Sequence, residues 1–147
     1  MSVLLICPKK SGNTFTVCEF VSKHAAIDLK VVNEREHYRI DDYKTIILSS
    51  GVYMGKPHVN LTKWLETITK KEIDTSTKFY MFMTWFGRGK SDKTVMRKID
   101  SYLSRVDAKL EENYSTCFGQ GMGLVRMGHP DSTDLEKTLN WVKALGK

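Results

Sequence analysis

Pro8-Lys9-Lys10-Ser11-Gly12-Asn13-Thr14 follows the apolar run Val3 to Cys7 and leads directly into a helical pattern from Phe15. A strand, a short polar loop and a helix in that order make a cradle for an anion. The first N–H groups of a helix have no internal acceptor, and the helix dipole puts partial positive charge at the same place. Gly12 allows close approach of the backbone, Asn13 tolerates unusual dihedrals, and Ser11 and Thr14 offer hydroxyl donors. The loop by itself is equally well read as a turn before an N-capped helix. The rest of the chain decides between the two.

A chain of 147 residues is of a size for a single domain spanning 1–147, which buries roughly two thirds of the surface its unfolded chain exposes. Cys7, Cys18 and Cys117 show neither paired spacing nor neighbouring histidines. A reduced protein without a metal site is expected, with Cys7 and Cys117 as core residues. No basic region followed by a long apolar segment opens the chain, and no apolar run reaches membrane-spanning length, so a cytoplasmic protein is expected. The net charge of +6 comes from basic residues scattered among acidic ones. Only Arg88 to Lys98 is locally dense. The pattern reads as a solvated basic face that favours anionic ligands and acidic partners, not as a nucleic-acid groove.

Five short apolar or β-rich runs are expected as strands: Val3 to Cys7, Ile27 to Val32, Thr45 to Ser49, Lys78 to Thr84 and Tyr114 to Phe118. Several are apolar at consecutive positions, as in parallel strands covered on both faces. Between them, Leu61, Trp64, Leu65 and Ile68 recur at helical spacing, as do Val95, Ile99, Tyr102, Leu103 and Val106, and later Leu135, Leu139 and Val142. Asp131 to Asp134 offers capping groups behind Pro130. His24 reads as structural or solvated, and Asn33 to Asp42 as a polar surface connection. The expected architecture is α/β: three layers around a doubly wound five-stranded parallel sheet of order 2-1-3-4-5. Its ligand belongs beyond the carboxyl ends of the strands, where the strand order reverses.

Two further loops lie at those ends. After the third strand comes Ser49-Ser50-Gly51-Val52-Tyr53-Met54-Gly55-Lys56-Pro57, and after the fourth Thr84-Trp85-Phe86-Gly87-Arg88-Gly89-Lys90. Each sets large aromatics among glycines. Either suits the face of a planar ring, and either alone also suits a hydrophobic plug closing the sheet.

Taken together, these segments resemble the flavodoxin-like family, in particular its short-chain members, over nearly the whole chain. The resemblance lies in Ser11-Gly12-Asn13-Thr14, Gly51-Val52-Tyr53-Met54-Gly55-Lys56-Pro57, Ser115-Thr116-Cys117-Phe118-Gly119 and Gly128-His129-Pro130-Asp131. It implies an FMN-binding protein, with FMN at the switch point as in flavodoxin itself; that placement is taken over with the resemblance. It further implies cofactor contacts from Lys10, Ser11, Gly12, Asn13 and Thr14 around the phosphate. Ser50, Gly51, Val52, Tyr53, Met54 and Gly55 would follow from the second loop. Thr84, Trp85, Phe86, Gly87, Arg88 and Gly89 would follow from the third. Tyr53 and one of Trp85 and Phe86 would flank the flavin ring.

One departure carries consequences. The resembled family commonly begins this loop with a small hydroxyl residue and has an acidic surface, whereas Pro8, Lys9 and Lys10 stand here on a basic chain. Positive charge at Lys56, Arg88, Lys90 and Arg126 would favour the anionic reduced flavin and make the second reduction potential less negative. The same charges would suit a redox partner with an acidic docking surface. Lys9 and Lys10 also admit a more highly phosphorylated nucleotide as the second choice of ligand.

Transfer of electrons to or from a partner such as a larger reductase needs no dedicated acid, base or nucleophile, because the cofactor carries the chemistry. The chain is expected as a monomer or weak dimer. The alternative is a flavin-dependent reductase or oxidase acting on a quinone or tetrapyrrole, with the segment 119–123 as a mobile rim and His58 or His129 as proton donor. A receiver module would need clustered carboxylates after strand one, where Cys7-Pro8-Lys9 stands. An interaction protein without flavin remains a third class.

Overall fold

The computed structural model describes residues 2–32, 39–85, 89–119 and 128–145. Among them the chain order is β1 (Val3–Cys7), α1 (Gly12–Ala25), β2 (Asp28–Val31), β3 (Thr45–Gly51), α2 (Val59–Thr67) and a 3-10 turn (Lys70–Glu72). Then follow β4 (Lys78–Trp85), α3 (Ser91–Ser104), β5 (Ser115–Phe118) and α4 (Ser132–Leu145). The strands form one parallel sheet in the order β2-β1-β3-β4-β5.

Every residue of β1 and β3 is buried, which is why both runs lack the alternation of a one-sided strand. Alternate side chains enter different cores. Leu4, Ile6, Ile46, Leu48, Met81 and Met83 pack with Leu61 and Leu65 of α2 and Val95, Ile99 and Leu103 of α3. Leu5, Cys7, Ile47, Phe82 and Cys117 pack with Val17, Cys18 and Val21 of α1 and Leu139 and Val142 of α4. The three expected layers are thus two helix pairs on either side of the sheet.

Element ends differ from the sequence reading. α1 starts at Gly12 instead of Phe15, because Ser11 already adopts the extended conformation of an N-cap. α2 stops at Thr67, so Ile68 turns to extended backbone while staying buried. α3 ends at Ser104, and Val106 lies beyond it. Most of the expected connection Asn33 to Asp42 lies outside the described residues, but Ile40 within it is buried in the α2/α3 core. No described helix is long and apolar enough to cross a membrane.

α4 is fastened to the sheet by one carboxylate. Asp131 and Asp134 cap each other: the Asp134 amide donates to Asp131 Oδ1 at 3.0 Å, and the Asp131 amide to Asp134 Oδ2 at 2.9 Å. Asp134 also accepts from the Phe118 amide at 3.3 Å and faces His129 Nδ1 at 2.5 Å. The ligating atoms of His129, Asp131 and Asp134 lie within 4.8 Å of one another, but these bonds account for the cluster as a helix cap. Burial raises the Asp134 pKa, yet the His129 bond and the two amide donors outweigh it, and the net shift is downward. A depressed carboxyl contributes stability above its unfolded value, near 3.9, and loses it as pH falls through the folded value. Asp134→Ala should therefore lose about 1–3 kcal/mol at neutral pH. In denaturant unfolding the gap from the parent should close at the acid end of the range; a pH-independent gap would contradict this assignment.

Candidate functional site

The loop after β1 is pinned from below. Asn60 Nδ2, in the first turn of α2, donates to the Pro8 carbonyl at 2.8 Å, and Cys7 Sγ–H donates to the Lys9 carbonyl at 3.2 Å. Gly12 has φ +87°, which favours glycine, and a Cβ there would stand 3.4 Å from Lys9 Cε and 3.7 Å from its Nζ. The Lys9 ammonium therefore lies beside the N-terminus of α1. Ser11 makes no side-chain cap bond, and the first turn holds no acidic residue. A hydroxyl not spent on the cap and an ammonium meet at a first turn that carries no acidic side chain.

Two contacts tie this loop to the strands beside it. Thr14 Oγ1 and Thr84 Oγ1 share a buried hydrogen bond of 2.8 Å, joining the first turn of α1 to the end of β4. At Gly119, just past β5, a Cβ would come within 2.7 Å of Asn13 Nδ2, so the Asn13 amide needs a residue without a side chain there.

After β3 the chain makes a tight reversal. Tyr53 N–H donates to Lys56 O at 2.8 Å and Lys56 N–H to Tyr53 O at 3.0 Å, with Met54 at φ +53° and Gly55 at φ +80°. Positive φ at both central residues is the type I′ signature. Val52 N–H reaches Thr84 O at 3.1 Å, and Ser50 Oγ donates to Gly51 O while accepting from His58 N–H at 2.8 Å. The Tyr53 ring folds back so that its hydroxyl is 2.9 Å from the position of a Gly51 Cβ, and it meets His58 edge-on at 5.6 Å. Burial, with the nearby Cys7 thiol, raises the Tyr53 pKa. Met54 is 98% exposed at the tip of the turn.

Trp85 ends β4 half-buried, and its carbonyl accepts from Gly119 N–H at 3.1 Å. Phe86, Gly87 and Arg88 lie outside the described residues, as does Arg126; the chain resumes at Gly89 (φ +62°) and Lys90, the N-cap of α3. Lys10, Lys56 and Lys90 are exposed at this end. His58 Nδ1 accepts from Asn60 N–H at 3.0 Å, capping α2; burial and then the Lys9 charge lower its pKa. His24 is exposed and stacks on Phe20.

The structure thus brings Ser11 to Thr14, Gly51 to Gly55 and Trp85 to one end of the sheet. The sequence reading did not single out Asn60, and it named Lys9 and Gly119 without placing Lys9 beside the start of α1 or Gly119 against Asn13. Lys9 was visible as half of a lysine pair, and the contacts of Asn60 with Pro8 and of Gly119 with Asn13 form only in the folded chain. The left-handed Met54 costs about 1–2 kcal/mol, of which Gly would recover part, since its own unfolded chain is freer by about 0.5–1 kcal/mol. Met54→Gly should raise stability slightly and Met54→Val should lower it in chemical denaturation; the reverse order would refute the strained turn.

No protein-family model matches the chain, and no curated protein does. Solved structures do resemble it. A flavodoxin from the domain Archaea superposes at a TM-score of 0.68 with 12% identity, covering 100% of both chains. Flavodoxin 2 from Bacillus cereus gives 0.67 with 18% identity, covering 99% of this chain and 98% of its own. A flavoprotein in complex with FMN from Lactobacillus acidophilus NCFM gives 0.62 with 15% identity, covering 78% and 92%. At such identities the likeness speaks for architecture. Strand order, layers and whole-chain coverage agree: this chain has the flavodoxin-like fold.

Proposed function

We propose that the protein binds FMN at the carboxyl end of its sheet and passes electrons to or from a partner protein. The observation that carries this reading is the uncapped start of α1. The first turn of this helix, the Ser11 hydroxyl and the adjacent Lys9 ammonium form a donor set suited to a phosphate dianion. The Lactobacillus flavoprotein, solved in complex with FMN, has the same fold.

In this reading Gly12, Asn13 and Thr14 bind the phosphate through their amides, with Ser11, Lys9 and Lys10 supplying a hydroxyl and charge. Tyr53 and Trp85 flank the ring, and the 53–56 turn covers its polar edge. FMN, when bound, supplies one- and two-electron redox chemistry. Thr84 braces Thr14 from behind. The protein's task is to hold, orient and tune. His58 and His129, which direct turnover of a small molecule would recruit for proton transfer, are engaged in helix caps. This favours the carrier over the reductase.

The exposed apolar side chains Tyr53, Met54 and Val59 stand at this end with Lys10, Lys56 and Lys90. An acidic partner surface with an apolar centre would complement them, and three buried free thiols suit a reducing compartment such as the cytoplasm.

Titration of the apoprotein, followed by flavin fluorescence, should show FMN binding far more tightly than riboflavin, which lacks the phosphate. Gly12→Val, which puts a branched side chain at φ +87° against Lys9, should weaken FMN at least about tenfold, or about 1.4 kcal/mol. Equal binding of the two flavins, or no uptake, would contradict the proposal. In spectroelectrochemistry the second potential should be less negative than that of an acidic flavodoxin. Lys56→Glu with Lys90→Glu should make it more negative, and an unchanged value would remove the electrostatic role of these lysines.

A further inference from the structure

Under the anion loop lies a pair of thiols. Cys7 ends β1 and Cys18 sits in the second turn of α1; both are free and fully buried. Pairing of β1 with β3 sets Ile6 opposite Leu48, so Cys7 and Ser49 are the next neighbours on the sheet. Ser49 Oγ spends its single proton on the Ile6 carbonyl at 2.7 Å. In its 3.2 Å contact with Cys18 Sγ the thiol must therefore be the donor. Cys7 Sγ–H points the other way, to the Lys9 carbonyl at 3.2 Å. Cys7 and Cys18 thus flank Ser49 on one face of the sheet and pack into the same core. Residues 8–17, which separate them, contain the entire anion loop.

We propose that Cys7 and Cys18 form a reversible disulfide site, closed by hydrogen peroxide, that links the end of β1 to α1 around the anion loop. The Cys7 sulfur attacks one peroxide oxygen, the O–O bond breaks, and a Cys7 sulfenic acid and water result. The Cys18 sulfur then attacks the Cys7 sulfur, the S–O bond breaks, and a second water leaves with the Cys18 proton. Two thiols lose two electrons in all, and one peroxide becomes two waters.

The order of attack follows from the surroundings. Once Cys7 loses its proton, Cys18 can turn its S–H from Ser49 to the thiolate, which lowers the Cys7 pKa despite burial, and the Lys9 charge adds to it, whereas burial pushes Cys18 well up. Cys117, on β5, is pushed up to about 11 by burial and serves as the internal control. Both reacting thiols are covered, so closure proceeds through an opened form of the loop. An anion seated in the loop holds it shut.

The folded protein would be treated with hydrogen peroxide, then unfolded and alkylated for peptide mapping. The expected result is a linked Cys7–Cys18 peptide pair lighter by about 2 Da than the two reduced peptides, with label on Cys117 alone and reversal by dithiothreitol. Inorganic phosphate in the buffer should slow closure several-fold, a readout that does not depend on flavin binding. Cys18→Ser should abolish the link and leave Cys7 trappable by dimedone; Cys7→Ser should leave Cys18 unreacted. Three labelled cysteines, a bridge to Cys117, or equal peroxide reactivity of Cys18 in Cys7→Ser would each overturn the proposal. If a variant fails to fold, the peptide map of the parent chain decides alone.

Discussion

The first turn of α1 has no side-chain cap from Ser11, and the arrangement at the carboxyl end of the sheet holds that turn in place. Ser11 stands at the N-cap with its hydroxyl unspent on the cap, and the first turn carries no acidic side chain to fill the anion's place. Around it the fold supplies rigidity: Asn60 holds Pro8, Thr84 holds Thr14, and Asn13 is set against Gly119. Donors fixed in this way need little reordering when an anion arrives, and that limits the entropic cost of binding.

The sheet explains why those braces converge. β1 and β3 are buried along their whole length, and helices on both faces must cover them. Right-handed crossovers then place the loops after β1, β3 and β4 side by side at one edge. Their polar backbone groups cannot stay buried, so they pair with each other: Tyr53 with Lys56, Val52 with Thr84, Gly119 with Trp85. What protrudes from this paired rim is apolar at Tyr53 and Met54, an exposure that a bound ring and a docking partner would together relieve.

The parts legible in the sequence were those with a one-dimensional signature. Consecutive apolar residues marked β1 and β3, helical spacing marked the inner faces of α2, α3 and α4, and glycines marked the reversals. Element ends were less legible, because they depend on local competition: Ser11 starts α1 early, and Ile68 leaves α2 while remaining in the core. Ile40 looked like part of a polar connection, since a lone apolar residue among charges gives no period to read. At the site, Lys10 drew attention where Lys9 reaches the helix start, because side-chain direction out of a loop is set by its folded path. The Thr14–Thr84 bond spans 70 residues of sequence and has no local trace.

The central claim is that the start of α1 is the anchor of a flavin phosphate. Amide chemical shifts recorded while FMN is added to the labelled apoprotein test it most directly. The account predicts large shifts at Gly12, Asn13 and Thr14, joined by Tyr53 and the Trp85 indole, with the distal ends of α2 and α3 unmoved. Shifts confined to another part of the molecule, or absent from the first turn of α1, would contradict it.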